Sequence, residues 1–505
     1  MSIAYLSTNL PILLAAVFGT LFPTLSYIVY GLIGLLSLLY IASMFSQKKP
    51  KANSAGKNVK VLKKGFDIPV KGTPQGEVLA ARTTQFAVQP KNFPYIFPIP
   101  KVSVEVGDHV NAGDCLFFDR DNPKVKFASP VSGKVVEINR GAKRSIAEIV
   151  VEADGQQSYR EVQSINLETI SREDLVDFLA ENGVWPMINQ RPYDVIPALD
   201  AVPRDIFVST FDSAPLAPDA SKVVAGKEVA FQTGLDVLRK LTSGKVHLGL
   251  DGRVAKVSTA FAEANGVEKH WFTGFHPVGN VGIQIHHIAP IKNGEDIVWT
   301  LGVQEVATIG ALITGKKYDA SRVVAIGGNK VEKPRYVQTY MGVKIGDILD
   351  NNGKDARIIS GDMLSGEQKE YGGYLNYFDN QISVIGEGDY YEMFGWALPT
   401  KKTPSISRTY FQGLFPSTKE IEVDANLHGE KRAFVMTGEY ERVLPMDIYP
   451  QHLMKAIITA DYEKMEGLGI HELSEEDIAL CEFACTSKQP LQEILRQGLS
   501  ELYFE

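Results

Sequence analysis

Apolar and polar positions divide the chain into regimes of different period. The first 47 residues carry no charged side chain, and Thr24 to Phe45 is a predominantly apolar run long enough to cross a hydrocarbon core of roughly 30 Å. Ile3 to Phe22 is of similar length but contains Ser7, Thr8, Asn9 and Pro11, so residues 1–46 read as one span with an interfacial leader or as a hairpin or re-entrant pair. The basic n-region and small-residue cleavage pattern of a signal peptide are missing. Seven lysines follow between Lys48 and Lys64 with no acidic residue before Asp67. By the positive-inside rule they put the following body on the cytoplasmic side, while residues 47–58 have the composition of a linker.

From 59 to 155 the period falls to two. Val102, Val104, Val110, Leu116 and Phe118 alternate with polar residues, which predicts short strands with turns at Gly107, Gly113 and Gly133. Residues 156–320 alternate between helical and strand patterns. Ser171 with Asp174 three residues on caps a helix over LVDFLAENG, residues 226–244 read as an amphipathic helix and residues 257–266 as a further helix. Between them, IFVST (206–210) and VHLGL (246–250) read as buried strands, and this alternation predicts a parallel α/β sheet. Residues 321–400 open as a strand, a Gly-Gly turn, a second strand and a short helix. Residues 401–505 are a connecting segment and then helices: Ser474 caps EEDIALCEF, and after Pro490 come Leu491, Ile494, Leu495, Leu499 and Leu502 at helical spacing.

The net charge of −8 excludes the basic face that nucleic-acid binding needs. Three cysteines in 505 residues are too few for a disulfide scaffold and suit a reducing compartment. Cys481 and Cys485 share one helix face, yet the two preceding positions of a ferredoxin-type run are Glu475 and Ile478. Two thiolates do not hold a cubane cluster, so the pair reads as small apolar packing residues, and Cys115 likewise. His276, His286 and His287 lie close in sequence, but the last two are adjacent in an apparent strand and face opposite ways. No acidic or cysteine ligand completes a metal set. The segment around His276 reads as a Gly-Pro loop at a domain junction, and His270 with Trp271 as a packed aromatic pair. Gly327-Gly328, Gly372-Gly373 and Gly386-Glu-Gly388 lack the Lys-Ser/Thr of a phosphate loop. The aromatic run from Tyr371 to Trp396 reads as core or a protein interface, with an apolar groove as the alternative. No hydrolytic or acid–base constellation emerges.

Residues 103–138, SVEVGDHVNAGDCLFFDRDNPKVKFASPVSGKVVEI, resemble a lipoyl or biotinyl carrier domain. The modified lysine of such a domain lies eight residues before the Ser/Ala-Pro pair, and here that position is Asn122. An amide cannot be acylated, and Lys124 and Lys126 read as solvated strand lysines. The domain is therefore expected to be structural.

The domain order resembles that of the NqrA family, one of the subunits of the bacterial sodium-translocating NADH:quinone oxidoreductases. The resemblance rests on KKGFDIPVKGTP (63–74), VKFASPVSGKVVEINRGAKR (125–144), VIPALDAVPRDIFVS (195–209), GFHPVGNVGIQIHHIAPI (274–291), GGNKVEKPRY (327–336) and ALCEFACTSK (479–488). It implies a barrel-sandwich-hybrid (biotinyl/lipoyl-like) domain, a Rossmann-like α/β domain, a β-grasp (SLBB-like) domain and a helical carboxyl-terminal tail, whereas the amino-terminal membrane segment departs from the family's usual pattern, whose members mostly begin near the equivalent of Val59. The α/β domain is also similar to the flavin-bearing NADH subunit of complex I and to its counterpart in the Rnf complex. Those relatives carry a glycine-rich loop for the flavin phosphate where this chain reads NGVWPMINQRPYDVIP (182–197). Trp185, Met187, Asn189 and Gln190 put bulk where backbone must approach a phosphate, and Pro186 and Pro192 lack an N–H. The resemblance thus implies a subunit with no redox cofactor of its own. FMN, FAD, riboflavin and iron–sulfur centres are expected in partner subunits, subunits B and C are the expected neighbours, and ubiquinone is a candidate ligand. Tyr374, Tyr377, Phe378 and His276 are the candidate quinone or partner contacts. An NADH-oxidising flavoprotein, a carrier-domain protein and a β-grasp protein of polysaccharide export are the alternatives.

Overall fold

The computed structural model describes residues 25–35, 37–38, 58–94, 100–350, 355–393, 395, 403–406 and 420–504. Residues 50–390 with 420–505 form one compact body, and residues 1–49 with 391–419 form a second. Of the second body, residues 25–35 and 37–38 are helical, and Leu25, Ile28, Leu32 and Leu35 are exposed. Among the described residues no helix is long and apolar enough to cross a membrane. The expected span Thr24 to Phe45 lies partly, and the leader Ile3 to Phe22 wholly, outside the described residues.

In the large body a six-stranded sheet forms the α/β domain. Its strands are β1 (Val59–Val61), β2 (Asn189–Arg191), β3 (Ile206–Ser209), β4 (Val246–Asp251), β5 (Glu268–Thr273) and β6 (Val298–Leu301). They lie in the order β1-β5-β4-β3-β6-β2. All pairings are parallel except β2 with β6. The central strands β3 and β6 are buried on both faces because helices cover both. Ile206 and Val208 face the core that holds Phe231, Leu235 and Val306, while Phe207 packs with Ile285, Ile291 and Val298 on the other side. The helices Glu228–Leu241 and Val303–Thr314 touch backbone to backbone. A Cβ on Gly310 would lie 1.7 Å from the Ala230 carbonyl oxygen, so only glycine permits the approach. Ser171 caps the helix Arg172–Glu181 by accepting from the Asp174 N–H.

The carrier-like domain consists of a four-stranded and a three-stranded sheet between Gln85 and Ala153. Gly107 and Gly113 occupy turns at φ 107° and 96°. Gly133 is not a turn residue but opens the strand Gly133–Arg140. A Cβ there would meet the Glu152 carbonyl oxygen at 2.0 Å, so close strand approach, not turn geometry, requires it. Asn122 sits in the hairpin turn, its carbonyl accepting from the Val125 N–H at 2.9 Å. Lys124 and Lys126 are not merely solvated. They pair with Asp177 at 2.8 Å and with Glu181, holding the hairpin against the first helix of the α/β domain.

The β-grasp sheet is also six-stranded, built from Ser321–Gly327, Arg335–Tyr340, Ala356–Ser360, Glu367–Lys369 and Gln381–Gly386, with Val78–Ala80 at one edge. The stretch 59–80, which strand spacing assigns to the carrier-like domain, thus supplies an edge strand to each of the other two sheets. The carboxyl-terminal helices include Pro450–Ile458, Glu475–Ala484 and Leu491–Phe504. Ser474 and Asp477 form a capping box, and Leu491, Leu495 and Leu499 are fully buried.

At the amino-terminal end of the α/β sheet, His247 Nδ1 lies 3.0 Å from His270 Nε2. His270 is therefore not paired with Trp271, because successive strand residues face opposite sides. Burial, and then His247, pushes the His270 pKa down to about 4. Burial also lowers His247, His276, His287 and His471. All are raised again on unfolding, to about 6.5, so the unfolded chain binds more protons between these values and stability falls as the pH drops. We expect the contribution of these histidines to the urea midpoint to be level above pH 7 and to decline from about pH 6.5 toward pH 4. Replacing His270 by Gln should flatten that decline, and an unchanged slope would contradict the assignment.

Candidate functional site

Strand order reverses beside β3: β4 and β5 follow on one side and β6 lies on the other. Crevices outside the carboxyl ends of the strands at such a point are the usual ligand sites of open α/β sheets. A cleft of about 460 Å³ opens there, lined by Ser209 and Thr210 at the end of β3 and by Leu301 and Gly302 at the end of β6. The helices Val281–Ile288 and Val303–Thr314 begin beside it. The β-grasp domain contributes Asp362, Phe378 and Asp379, and the carboxyl-terminal helices contribute Glu476.

One wall is the segment that stands where the resemblance places a glycine-rich loop. Trp185 is fully buried, crosses Trp299 edge-on at 5.3 Å and donates Nε1–H to the Pro197 carbonyl at 2.8 Å. Met187 is buried beside it, and the chain then runs into β2. Arg191, buried on β2, donates to Asp477 Oδ2 and Glu476 Oε1, both at 2.8 Å. Asp477 is completely buried. This network fixes the amino terminus of the helix Glu475–Ala484 against the cleft, and Asn280 donates to the Glu476 carbonyl at 2.9 Å.

The lining is acidic. Asp194, Asp212, Glu305, Asp362, Asp379 and Glu476 all border the cleft, whereas Arg191 is engaged as described. Burial raises the Asp212 and Asp379 pKa values, and desolvation pushes Glu476 up to about 8 despite Arg191. A phosphate would find carboxyl groups in the lining and, as a permanent cation, only Arg191, which is already engaged by Asp477 and Glu476.

The structure brings two of the four candidate contacts, His276 and Phe378, to this cleft. His276 is buried, with Nδ1 3.1 Å from Ser213 Oγ and no hydrogen-bond partner at Nε2. Phe378 is part exposed, while Tyr374 and Tyr377 are buried. Tyr374 packs with Ala87 and Val150, and Tyr377 crosses Phe93 edge-on at 4.7 Å. These two tyrosines belong to the core. Phe394 and Trp396 lie outside the described residues. His286 and His287 are in a helix, not a strand. That helix is buried on several sides, so its apolar period is blurred and β-branched residues mimic a strand. His286 contacts Glu472 at 2.8 Å and His287 the Pro445 carbonyl at 2.7 Å. Cys481 and Cys485 are buried, and the Tyr440 hydroxyl donates to Cys485 Sγ at 2.8 Å. Sequence reasoning missed Arg191 and its carboxylate partners; a lone arginine among apolar residues was the available sign, because such a charge must find partners on burial.

Three family models match in chain order: "NqrA N-terminal barrel-sandwich hybrid domain" over residues 60–154, "NqrA second alpha/beta domain" over 170–317 and "NQRA C-terminal domain" over 323–370. A protein of Psychromonas ingrahamii, named as the A subunit of Na(+)-translocating NADH-quinone reductase, is 36% identical over 449 residues, covering 87% of this chain and 98% of the relative. Proteins with the same name from Vibrio parahaemolyticus and Saccharophagus degradans are 35% and 37% identical over 447 residues, again covering 87% of this chain and 98% of each relative. An NAD+-reducing [NiFe]-hydrogenase chain aligns with a TM-score of 0.35 and 12% identity, over 69% of this chain and 67% of its own. Three domain matches and similarity over 87% of its length to the named relatives place this chain in the NqrA family of Na+-translocating NADH-quinone reductase subunits.

Proposed function

We propose that this chain is the cofactor-free docking body of a respiratory sodium-translocating NADH:ubiquinone reductase. It rests on the membrane subunits B and C, on the cytoplasmic face of a bacterial inner membrane, and its own amino-terminal apolar segment adds a tether. The observation that supports it is a crevice at the strand-order reversal whose wall carries Met187 and Arg191 and whose remainder is lined by carboxyl groups. Electrons from NADH then pass through flavins and iron–sulfur centres held elsewhere. A neutral ring ligand, unlike a phosphate, needs no free cation in the cleft, so ubiquinone access between His276 and Phe378 is the reading we favour.

Mild-detergent affinity purification of the tagged chain tests the docking role. Hydrophobic flavin-bearing subunits should co-purify, and the isolated chain should be colourless. A solitary chain carrying yellow FMN would mean an NADH-oxidising flavoprotein instead. A quinone photoprobe should label peptides containing His276 or Phe378 in the complex; labelling confined to other subunits would remove quinone access while leaving the docking role intact.

A further inference from the structure

The end of the α/β sheet opposite the cleft carries a second constellation. His247 on β4 is paired with Glu268 on β5, and Gly249 with His270. Alternate strand residues share a face, so His247, Glu268 and His270 stand on one face. Two come from one strand at i and i+2, and the third comes from its neighbour. A sheet presents three ligands to one ion with this spacing. Asp205 Oδ1 lies 3.5 Å from His247 Nε2, and Phe207 stacks on the ring at 4.7 Å and 20°. Together they hold the imidazole with Nδ1 toward His270. A carboxylate behind a histidine is the usual outer support of a metal-bound imidazole.

We propose that His247, His270 and Glu268 form a binding site for a divalent transition ion of the zinc type, with water completing its coordination. Ligand nitrogens about 2.0–2.1 Å from a tetrahedral zinc lie about 3.3 Å from each other. The two imidazole nitrogens are 3.0 Å apart, so small ring rotations suffice. At present one shared hydrogen joins them, and the ion replaces it. Among the described residues no three such groups already surround one point, because Glu268 is turned to Lys245 at 3.0 Å. Both members of that pair are exposed, and an exposed ion pair is weak enough to be exchanged for a metal. Lys245 and Lys60 are the nearby cations. The Lys60 ammonium is engaged by the His287 carbonyl, and their charge weakens but does not block the site. Two imidazoles and one carboxylate favour zinc over magnesium or calcium.

The test uses the full chain stripped with a chelator and titrated separately with Zn2+ and Co2+ against a chromophoric competitor. One equivalent of Zn2+ should bind without competition from Mg2+, and Co2+ should give the visible bands of a four- or five-coordinate centre. His270→Gln should weaken Zn2+ binding roughly tenfold or more, and Glu268→Gln by a smaller factor. Circular dichroism of both metal-free variants should match the parent, and their partial exposure makes them safer than a change at His247. Absence of stoichiometric binding, or undiminished binding by the His270→Gln/Glu268→Gln double variant, overturns the proposal.

Discussion

Replacing Arg191 with Met is expected to destabilise the contact between the carboxyl-terminal helices and the α/β domain by about 3–5 kcal/mol, the usual result of leaving a buried charge without its partner. Arg191 is 3% exposed and Asp477 fully buried. Without the guanidinium, Asp477 keeps only the Ser474 backbone N–H and hydroxyl, both at 3.1 Å to Oδ2, while Oδ1 has no hydrogen bond even in the parent. Room for a neutral rearrangement is small, since a Cβ on Gly282 would already lie 2.2 Å from Asp477 Oδ2. Hydrogen–deuterium exchange is the suitable readout, because a chain of several domains does not unfold in one step. Faster exchange should be confined to the helix Glu475–Ala484 and its neighbours. The double variant Arg191→Met/Asp477→Asn should recover part of the protection, as the neutral amide oxygen can still accept from Ser474 and no uncompensated charge stays buried at 477. Parental exchange in the single variant would show that the ion pair contributes nothing.

Trp185→Ala should cost about 3–5 kcal/mol, the range for truncating a large, fully buried aromatic side chain. The loss combines the emptied volume, the edge-on contact with Trp299 and an unpaired Pro197 carbonyl. The change also bears on function. If bulk at Trp185 were the sole obstacle to a flavin, the cavity would admit one, and FMN would raise the thermal midpoint of the variant. The acidic lining predicts otherwise: Trp185→Ala should be less stable and still insensitive to FMN. Stabilisation by FMN would show that the carboxylates are not the barrier inferred here.

Much of this architecture is legible along the chain because local signals and tertiary needs coincide. Ser171 and Ser474 announce helix starts, and both side chains cap as their positions require. IFVST and VHLGL are buried on both faces, as strands covered by helices must be. The signals fail where burial removes periodicity, as in the helix containing His286 and His287, or where a short segment leaves its sequence neighbours. Nothing local in VKV or VLA (59–61 and 78–80) reveals that these strands join distant sheets. The cleft was legible only in part. His276 and Phe378 meet there, but Tyr374 and Tyr377 serve the core, because an aromatic residue that packs a core and one that lines a groove have the same composition. The carboxylates of the lining come from three domains, so no sequence window gathers them.

The threading of residues 59–80 also sets the order in which the molecule can be completed during synthesis. Val59 aligns with Trp271, and Val78 with Tyr336. At about 5–20 residues per second, the first strand waits on the order of 10–40 s for its partner to leave the ribosome. Any membrane insertion of the preceding apolar segment falls within that interval, before the large body can close. Until then an apolar amino-terminal strand is unpaired, which makes the nascent chain a candidate for chaperone holding. Fragments ending before Glu268 should be insoluble for the same reason, whereas the intact chain reaches its fold by drawing its earliest strands into its latest sheets.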